Sequence, residues 1–375
     1  MEYTKTFNEL KTLFTPDKDE IIIPGSDVKI YNIGFHTDFP INGFLNLSDT
    51  LINENKSFSY PVFAPPKAES DKVILLLHGL NERSWIKYLV WAYWLAENTG
   101  SYVILFPISF HINRSPASWK DPRVMINFMK NRNSAFGEIN MSSFANIAIS
   151  NRLTEDPLRF FNSGYQTATD IIKVLLSVRN GQHPVIPKSN KINIFAYSIG
   201  AFLAEIILMG NPDNLFPESK LFIFCGGSVF SNMQGSSKLI MDSHAFDRVY
   251  RYYLYEFEKS ITVKSPLADF LHTSQIGMAF RSMIDLGRLK TFRESLFKKL
   301  RNQIHSITLA NDKVIPPNGV IATLNANNNR GVAEVWDFPY AYSHENPFPI
   351  LNSPLSNEVD RSFEHVFSEA RNFFK

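Results

Sequence analysis

Residues 191–204 read Lys-Ile-Asn-Ile-Phe-Ala-Tyr-Ser-Ile-Gly-Ala-Phe-Leu-Ala, an apolar run that passes through small residues into a second apolar segment. This pattern is typical of a nucleophile elbow, in which a serine occupies a tight turn between a strand and a helix. The residues two before and two after the serine have to be small, and here they are Ala196 and Gly200. Ala196 stands where glycine is more usual, but its methyl group still meets the packing demand. Ser198 is therefore the candidate nucleophile, and because so short a pattern also occurs by chance, its context decides.

The elbow lies within a regular alternation of apolar strands and helices. Continuous apolar runs are typical of strands buried on both faces of a parallel sheet, and their alternation with helices implies helices on both faces of that sheet. The predicted strands are residues 73–77, 101–106, 191–196, 221–225, 304–310 and 331–338. The predicted helices are residues 84–98, 164–178, 199–209, 318–325 and 355–374. This order predicts an α/β fold with a mainly parallel central sheet.

Three segments depart from this rhythm. Residues 1–71 predict a polar leader followed by antiparallel strands. The predicted antiparallel strands are residues 20–24, 28–35 and 58–64. Residues 107–163 carry four prolines and short helical patterns, and residues 227–303 are helical in pattern and rich in aromatic side chains. We interpret the last two segments as mostly helical cap insertions in one domain that spans residues 1–375.

The composition describes a globular protein and excludes several classes of partner. Of 375 residues, 44% are hydrophobic and 20% charged, and the net charge of +2 is too small to attract nucleic acid or an anionic membrane. The single cysteine, Cys225, rules out an internal disulfide and is expected to be a buried core thiol. The N-terminus lacks a signal-peptide pattern, and no stretch approaches about 18 uninterrupted apolar residues. We therefore expect a cytoplasmic protein without a membrane span.

A serine hydroxyl is a weak nucleophile at neutral pH. It needs an imidazole that takes its proton and a carboxylate that orients the imidazole. Asp312 directly follows the strand predicted at residues 304–310, and His344 lies in the loop between the strand at 331–338 and the last helix. These two residues are the candidate partners of Ser198.

Each of the three residues also has a plainer structural interpretation. Ser198 is a suitable cap for the helix that follows it, and Asp312 is a suitable turn residue. His305 and His365 are rivals of His344. They lie in a predicted strand and a predicted helix, positions that suit packing better than the role of a mobile base.

Three motifs give the chain a resemblance to the α/β-hydrolase superfamily over roughly residues 58–375. They are the acid loop Asp312-Lys313-Val314-Ile315-Pro316-Pro317, the histidine loop Ser343-His344-Glu345 and the turn His78-Gly79-Leu80. In that superfamily the order along the chain is serine, acid and histidine, as it is here. The chain most resembles uncharacterised bacterial branches with cap insertions. The resemblance implies the α/β-hydrolase fold and a reaction class, but no substrate.

The resemblance also implies where an oxyanion hole would lie. Two backbone N–H groups have to point to the oxygen on which negative charge develops. The N–H of Ile199 follows the nucleophile at the start of a helix, whose dipole favours an anion. By match to the His-Gly-x turn, the second donor is expected to be the N–H of Leu80.

Further residues are candidates for contact with a substrate. His111 and Arg114 follow the carboxyl end of the strand predicted at residues 101–106, where ligands of α/β sheets bind, although a structural role is equally open. Tyr197, next to the serine, is another candidate. His78 is a candidate as well, but we expect it mainly to hold the turn.

The sequence contains no pattern for a metal or a nucleotide cofactor. Its nine histidines are scattered and form no H-E-x-x-H motif, and neither a Walker A nor a G-x-G-x-x-G pattern occurs. We expect no cofactor.

These observations together predict a serine hydrolase that cleaves an ester or amide of a small molecule through an acyl-enzyme on Ser198. His344 would be the general base and Asp312 the residue that orients it. Aromatic residues in both insertions suggest a lidded apolar pocket for a lipophilic or aromatic acyl group. The alternative is a non-catalytic binding or scaffold protein that retains the fold, because a fold alone does not establish a function. The substrate and the oligomeric state are left open.

Overall fold

The computed structural model describes residues 2–38, 47–67, 70–325, 331–350 and 355–375. In these residues the strands form one sheet, and helices pack on both of its faces. The strands are β1 (Glu20–Ile22), β2 (Lys29–His36), β3 (Ser57–Ala64), β4 (Lys72–Leu77), β5 (Tyr102–Leu105), β6 (Lys191–Tyr197), β7 (Leu221–Phe224), β8 (Ile304–Leu309) and β9 (Ala333–Trp336).

The helices divide between the framework of the sheet and the segments inserted into it. The framework helices are α1 (Tyr3–Leu13), α2 (Asn53–Lys56), α3 (Ile86–Thr99), α6 (Leu158–Arg179), α7 (Ile199–Gly210), α13 (Pro317–Leu324) and α14 (Ser356–Phe374). The segments between β5 and α6 and between β7 and β8 contain α4 (Pro122–Phe136), α5 (Ile147–Glu155), α8 (Ser243–Arg251), α9 (Phe257–Ser260), α10 (Pro266–Thr273), α11 (Gln275–Ser282) and α12 (Lys290–Leu300). A π-helical turn, Tyr252–Glu256, joins α8 to α9.

The strand order across the sheet is β1-β2-β3-β5-β4-β6-β7-β8-β9. The first four strands in this order pair antiparallel, and all pairs from β5 and β4 to β9 are parallel. The predicted α/β-hydrolase fold, with a mainly parallel sheet and helices on both faces, is confirmed. In the parallel part Leu77 at the end of β4 lies opposite Ala196 of β6, so the turns that follow these two strands are neighbours.

Two apolar cores lie on opposite faces of the sheet. Helices α1, α3 and α14 cover one face, where Trp91 and Phe367 are completely buried. Helices α6 and α7 cover the other face, together with helices of the inserted segments. Cys225 is buried at the end of β7, as predicted. None of the helices in the described ranges has the length and apolar character needed to cross a lipid bilayer.

Besides shifts of one or two residues at other element ends, three differences from the sequence-based expectation bear on the fold. The expected polar leader contains α1, whose Tyr3 and Leu10 pack against the core, while residues 1, 39–46 and 68–69 of that segment lie outside the described part. Helix α6 begins at Leu158 rather than at residue 164, because Pro157 supplies the fixed φ of a helix start. Strand β9 ends at Trp336, where the carboxylate of Asp337 accepts a hydrogen bond from the N–H of Phe338. The bounds of the two cap insertions stay predictions.

Buried ion pairs connect these inserted segments. The guanidinium of Arg132 in α4 donates to both carboxylate oxygens of Asp242, at 2.7 and 2.8 Å, and Asp242 also caps α8 by accepting from the N–H of Ala245. Both members of the pair are buried. Such a bidentate pair fixes geometry, because removing one partner leaves an uncompensated buried charge. The pair therefore holds α4 of the first inserted segment against α8 of the second.

Helix α7 carries one acidic residue in an otherwise apolar sequence. Glu205 is completely buried, and neither of its carboxyl oxygens has a hydrogen-bond partner in the described part of the chain. Burial raises the pKa of Glu205 well above its ordinary value, because a charge without a partner is poorly solvated there. Burial without a partner therefore favours the protonated, uncharged form of this carboxyl group in the folded protein.

This protonation makes stability depend on pH. The unfolded chain releases the Glu205 proton above a pH of about 4.5, the ordinary pKa, while the folded chain keeps it. The folded state then binds more protons, so stability falls as pH rises from that value toward the raised pKa. In the neutral variant Glu205→Gln this loss is absent. We therefore expect the free energy of unfolding of the variant, relative to that of the wild type, to increase by up to about 1.4 kcal/mol for each unit by which the pH is raised.

Urea unfolding of both proteins at several pH values between about 6 and 8 measures this difference. Glu218→Gln, on the exposed surface, is the control variant. A difference between Glu205→Gln and the wild type that stays constant with pH would show that Glu205 is not protonated in the folded protein.

Candidate active site

The predicted elbow forms between β6 and α7. Ser198 has φ 57° and ψ −126°, a conformation that non-glycine residues rarely adopt and that is held only where the surrounding structure enforces it. Gly200 permits the close approach that this tight turn needs, since a Cβ at this position would lie 2.7 Å from the carbonyl oxygen of His78. Ala196 is completely buried in the sheet, where its methyl group fits. The small residues on either side of the serine are thus required by close packing against the end of β4.

Ser198, His344 and Asp312 are brought together from three separate loops. The Oγ of Ser198 lies 2.7 Å from Nε2 of His344, and Nδ1 of His344 lies 2.7 Å from Oδ2 of Asp312. All three residues are buried. The carboxylate oxygens of Asp312 can only accept a hydrogen bond, so Nδ1 of His344 carries the hydrogen and Nε2 presents a lone pair to the Oγ of Ser198. This arrangement places a base within hydrogen-bond reach of the serine hydroxyl, as nucleophilic attack by a serine would require.

Asp312 combines the two roles that its sequence position suggested. Its Oδ1 accepts hydrogen bonds from the backbone N–H groups of Val314 and Ile315, at 2.9 and 2.8 Å. Oδ1 of Asp312 therefore closes the turn, while Oδ2 accepts the hydrogen bond from His344. Because both oxygens are bound, the carboxylate has a fixed orientation.

The rival histidines lie elsewhere. His305 in β8 is 3.9 Å from the carboxylate of Glu334, and His365 in α14 stacks on the ring of Trp336 with 4.2 Å between ring centroids. The histidine hydrogen-bonded to Ser198 is His344.

Tyr197 supports the loop of His344. Its hydroxyl donates a hydrogen bond to the carbonyl oxygen of His344, and its ring is stacked on the imidazole with 18° between the planes. On the other side Lys87 lies 4.6 Å from the centre of the Tyr197 ring and donates to the carbonyl oxygen of Glu345 at 3.1 Å. Lys87 also pairs with Glu82. The structure thus directs the hydroxyl of Tyr197 to the backbone of the histidine loop.

The two predicted oxyanion donors lie beside the nucleophile. Gly79 packs against Ser198, since a Cβ at Gly79 would be 3.4 Å from the Cβ of Ser198. Leu80 follows Gly79, and Leu80 and Ile199 line the same cavities. In the described ranges neither the N–H of Leu80 nor that of Ile199 donates a hydrogen bond to the protein. Both groups are therefore without a protein acceptor in the described ranges, as donors to an oxyanion would have to be.

Asn81 anchors this turn. It has φ 59°, which asparagine tolerates better than most residues, and its side-chain amide donates to the carbonyl oxygens of Ala145 and Leu239, at 2.8 and 2.7 Å. Ala145 and Leu239 belong to the two different inserted segments. One amide group therefore ties the residue after Leu80 to both segments that surround the site.

His78 holds the turn from inside. Its Nδ1–H donates to the carbonyl oxygen of Gly79, and its Nε2 accepts from the N–H of Ile108, both at 2.8 Å. Burial lowers the pKa of His78 to about 3, so the ring is neutral. Both ring nitrogens of His78 are thus engaged in hydrogen bonds within the protein, as expected for a residue that mainly holds the turn.

His111 and Arg114, the two candidates that follow β5, have different surroundings in the structure. His111 lines a cavity next to the nucleophile. Arg114 is completely buried in an ion pair with Asp170 at 2.8 Å, and it also donates to the side chain of Asn55 and the carbonyl oxygen of Pro107. The structure therefore does not bring Arg114 into the site.

Three cavities lie around Ser198 and the residues next to it. The polar vestibule is lined by Ser198, His344, Glu82, Lys87 and Glu345 among others. The smaller apolar cavity is also lined by Ser198 and contains Phe230, Met233 and Phe246. The larger apolar cavity is lined by Leu80 and Ile199 but not by Ser198, and its wall contains the aromatic residues Phe160, Phe161, Tyr165, Phe202 and Phe280. Leu80 and Ile199 line both apolar cavities.

The sequence did not reveal all residues that shape the site. Asn81 was missed, although an asparagine directly after a His-Gly-x turn is a recognisable signal for a left-handed residue. Arg152, which lines the larger apolar cavity, was missed because nothing in the sequence of α5 distinguishes it from a surface arginine. In the described ranges no three His, Cys, Asp or Glu side chains come together as a metal site would require.

Comparison with known proteins gives a family match and several similar folds. The model of a family of unknown function (DUF6051) matches residues 38–375. No curated protein matches the chain. The chain is similar to the solved structure of carboxyl esterase 2 from the mycorrhizal fungus Tuber melanosporum, with 7% identity and a TM-score of 0.47 over 100% of this chain and 99% of that one.

Two further solved structures are similar at the same level. An esterase of Pyrobaculum calidifontis has 13% identity and a TM-score of 0.47, covering 98% of this chain and 97% of that one. Vibralactone cyclase has 9% identity and a TM-score of 0.48, covering 99% of this chain and 85% of that one.

Proposed function

This chain belongs to the DUF6051 family of unknown function, and we propose that it is a serine hydrolase that cleaves esters with a lipophilic acyl group. The observation that carries the proposal is the unbroken hydrogen-bonded series from the Oγ of Ser198 through His344 to Asp312, with 2.7 Å at each step. Ser198, at the start of this series, lines the polar vestibule and the smaller apolar cavity, and the adjacent Ile199 also lines the larger apolar cavity.

In the first half of the reaction, the Oγ of Ser198 attacks the ester carbonyl carbon while Nε2 of His344 takes the serine proton. The carbonyl oxygen becomes an oxyanion, which the N–H groups of Leu80 and Ile199 stabilise. His344 then gives the proton to the alkoxide oxygen as the bond from carbonyl carbon to that oxygen breaks. The alcohol leaves, and an acyl-enzyme on Ser198 remains.

The second half repeats these steps with water. His344 takes a proton from a water molecule, the water oxygen attacks the acyl carbon, and the proton is returned to the Oγ of Ser198 as the acid leaves. Asp312 stays ionised throughout and stabilises the imidazolium that forms twice in the cycle. Tyr197 keeps the backbone of His344 in place during both proton transfers.

The cavities support a lipophilic acyl group. The larger apolar cavity begins at the two oxyanion donors, so an acyl chain whose carbonyl oxygen lies between them enters this cavity directly. Its wall is almost entirely aliphatic and aromatic, and burying each CH₂ group there contributes about 0.8 kcal/mol at most. The polar vestibule on the side of His344 suits the leaving alcohol and the incoming water.

A series of p-nitrophenyl esters tests this proposal. We expect the wild-type protein to hydrolyse the octanoate ester with a kcat/KM at least about tenfold above that of the acetate ester, because the longer chain fills the apolar cavity. We expect Ser198→Ala to reduce kcat by at least about 10⁴-fold. Ser295→Ala, on an exposed helix, is the matched control and keeps the wild-type rates.

Two results would count against the proposal in different ways. Equal efficiency with acetate and octanoate would exclude the apolar cavity as the acyl site. Absence of Ser198-dependent hydrolysis with every ester, together with no labelling of the wild type by a fluorophosphonate, would favour the non-catalytic binding protein.

The anchor of the oxyanion turn gives a second prediction. In Asn81→Asp, carboxylate oxygens replace the amide that donates to Ala145 and Leu239, so the side chain faces two carbonyl oxygens without a hydrogen to offer. The turn then moves, and the N–H of Leu80 no longer points to the position of the oxyanion. We expect kcat for the octanoate ester to fall roughly 10- to 100-fold with little change in KM, because this N–H binds charge that develops in the transition state.

Asn211→Asp is the matched control, since Asn211 also has a positive φ, 35°, but lies at the far end of α7. We expect it to keep the wild-type kcat. A wild-type kcat in Asn81→Asp would mean that the two amide hydrogen bonds do not position the oxyanion turn.

A further inference from the structure

The larger apolar cavity has two buried polar atoms on its wall side chains that lack a protein partner. Nε2 of His111 and Nη2 of Arg152 are inaccessible to bulk water, and neither makes a hydrogen bond within the described part of the chain. Both side chains line the cavity that starts at Leu80 and Ile199. Buried polar atoms are almost always hydrogen-bonded, because an unmade bond is costly there. Two of them beside one cavity indicate a polar group that enters with the ligand.

His111 offers a hydrogen-bond acceptor. Its Nδ1 lies 2.9 Å from the carbonyl oxygen of Ser109, which can only accept, so Nδ1 carries the hydrogen and Nε2 presents a lone pair. Burial lowers the pKa of His111 to about 3, which keeps the ring neutral. The ring of His78 is near, with 5.4 Å between centroids, but both of its nitrogens are occupied. The lone pair therefore lacks a donor.

The backbone around His111 is strained on both sides. Phe110 has φ 66° and Ile112 has φ 53°, and for a β-branched residue such as Ile112 this is a genuine outlier. The N–H of Ile112 is held by the carbonyl oxygen of Glu82 at 3.0 Å. Strained residues of this kind persist only where the surroundings enforce them, so the direction of the His111 side chain is fixed by the fold.

Arg152 offers a donor. Its Nη1 donates to Oδ1 of Asp49 at 2.5 Å, and its guanidinium lies on the ring of Phe110, with 3.4 Å from Cζ to the ring centre. These two contacts fix the plane of the guanidinium and leave the hydrogens of Nη2 without an acceptor.

The charges around Arg152 favour a neutral ligand group over a carboxylate. Asp49 also accepts from Arg159, at 3.1 Å, and Arg159 pairs with Glu155. Two arginines are thus matched by two carboxylates, which leaves no excess positive charge for an anion. A carboxylate would also bring an oxygen lone pair against the lone pair of His111.

We propose that His111 and Arg152 form a subsite for a hydroxyl group carried on the acyl chain of the substrate. A hydroxyl is both a donor, as Nε2 of His111 requires, and an acceptor, as Nη2 of Arg152 requires, whereas a plain hydrocarbon chain is neither. This inference rests on the proposed function, because it takes the larger cavity to be the acyl site of Ser198. It narrows the substrate class from lipophilic esters to esters of hydroxylated acyl chains.

Kinetics with positional isomers test the subsite. p-Nitrophenyl octanoate is compared with its hydroxyoctanoate isomers, the hydroxyl placed at each carbon from 2 to about 8 in turn. We expect the wild type to prefer at least one isomer over plain octanoate by about tenfold or more in kcat/KM, as two hydrogen bonds to otherwise unpaired groups would give. In His111→Phe, which keeps an aromatic ring but no acceptor, we expect that preference to disappear.

Arg152→Lys is the second variant, since a lysine keeps the pairing with Asp49 but lacks the second guanidinium nitrogen. We expect it to lower the same preference without abolishing the hydrolysis of octanoate. His272→Phe, on the exposed side of α10, is the control and keeps the wild-type preference. Each preference is a ratio measured within one variant, so partial unfolding of a variant does not mimic the expected result.

Binding to Ser198→Ala separates this inference from the proposed function. Titration calorimetry with octanoic acid and with each hydroxyoctanoic acid in turn needs no catalysis. Tighter binding of the hydroxy acid without any ester hydrolysis would support the subsite and contradict the hydrolase. The subsite would be overturned if the hydroxy acid and octanoic acid bound equally and plain octanoate were hydrolysed at least as efficiently as every hydroxy isomer. The two polar atoms would then bind only water. Preference for an acyl chain with a terminal carboxylate would overturn the assignment to a hydroxyl.

Discussion

The geometry of the site depends on one close contact, between Gly200 at the start of α7 and the end of β4. With no side chain at residue 200, α7 approaches the carbonyl oxygen of His78 more closely than any Cβ would allow. The chain leaving β6 turns at once, with Ser198 at a positive φ of 57°. This turn directs the serine hydroxyl toward His344 within the buried elbow.

The same contact organises the other parts of the site. Because β4 and β6 are adjacent parallel strands, the turn His78-Gly79-Leu80-Asn81 runs beside the elbow, and Leu80 and Ile199 line the same cavity. Asn81 then joins this turn to both inserted segments, and the hydroxyl of Tyr197 joins the elbow to the loop of His344. The segments that carry the cavities are thus tied to the same few residues that carry the proposed chemistry. Precise positions of this kind are what a preorganised site for acyl transfer requires.

The features that were predicted from the sequence have local causes. The elbow, the buried strands and the alternation of strands with helices each follow from short patterns, and the order of Ser198, Asp312 and His344 follows from the strands that precede them. The features that were missed depend on partners far away in the chain. Arg114 follows the end of a strand, as a site residue would, but Asp170, 56 residues later, holds it in the core. Helix α1 has the sequence pattern of a polar leader, because its few buried residues, such as Tyr3, contact their core partners only in the folded chain.

The central claim is that Ser198 forms a covalent acyl intermediate, and direct detection of that intermediate tests it. The wild-type protein is mixed with p-nitrophenyl octanoate, quenched in acid within the first turnovers and digested for mass spectrometry. The mechanism predicts one octanoyl group per protein molecule, on the peptide that contains Ser198, and an unmodified peptide in Ser198→Ala. Hydrolysis of the ester at the wild-type rate with the octanoyl group on another residue, or with no acyl-protein at any quench time, would contradict it.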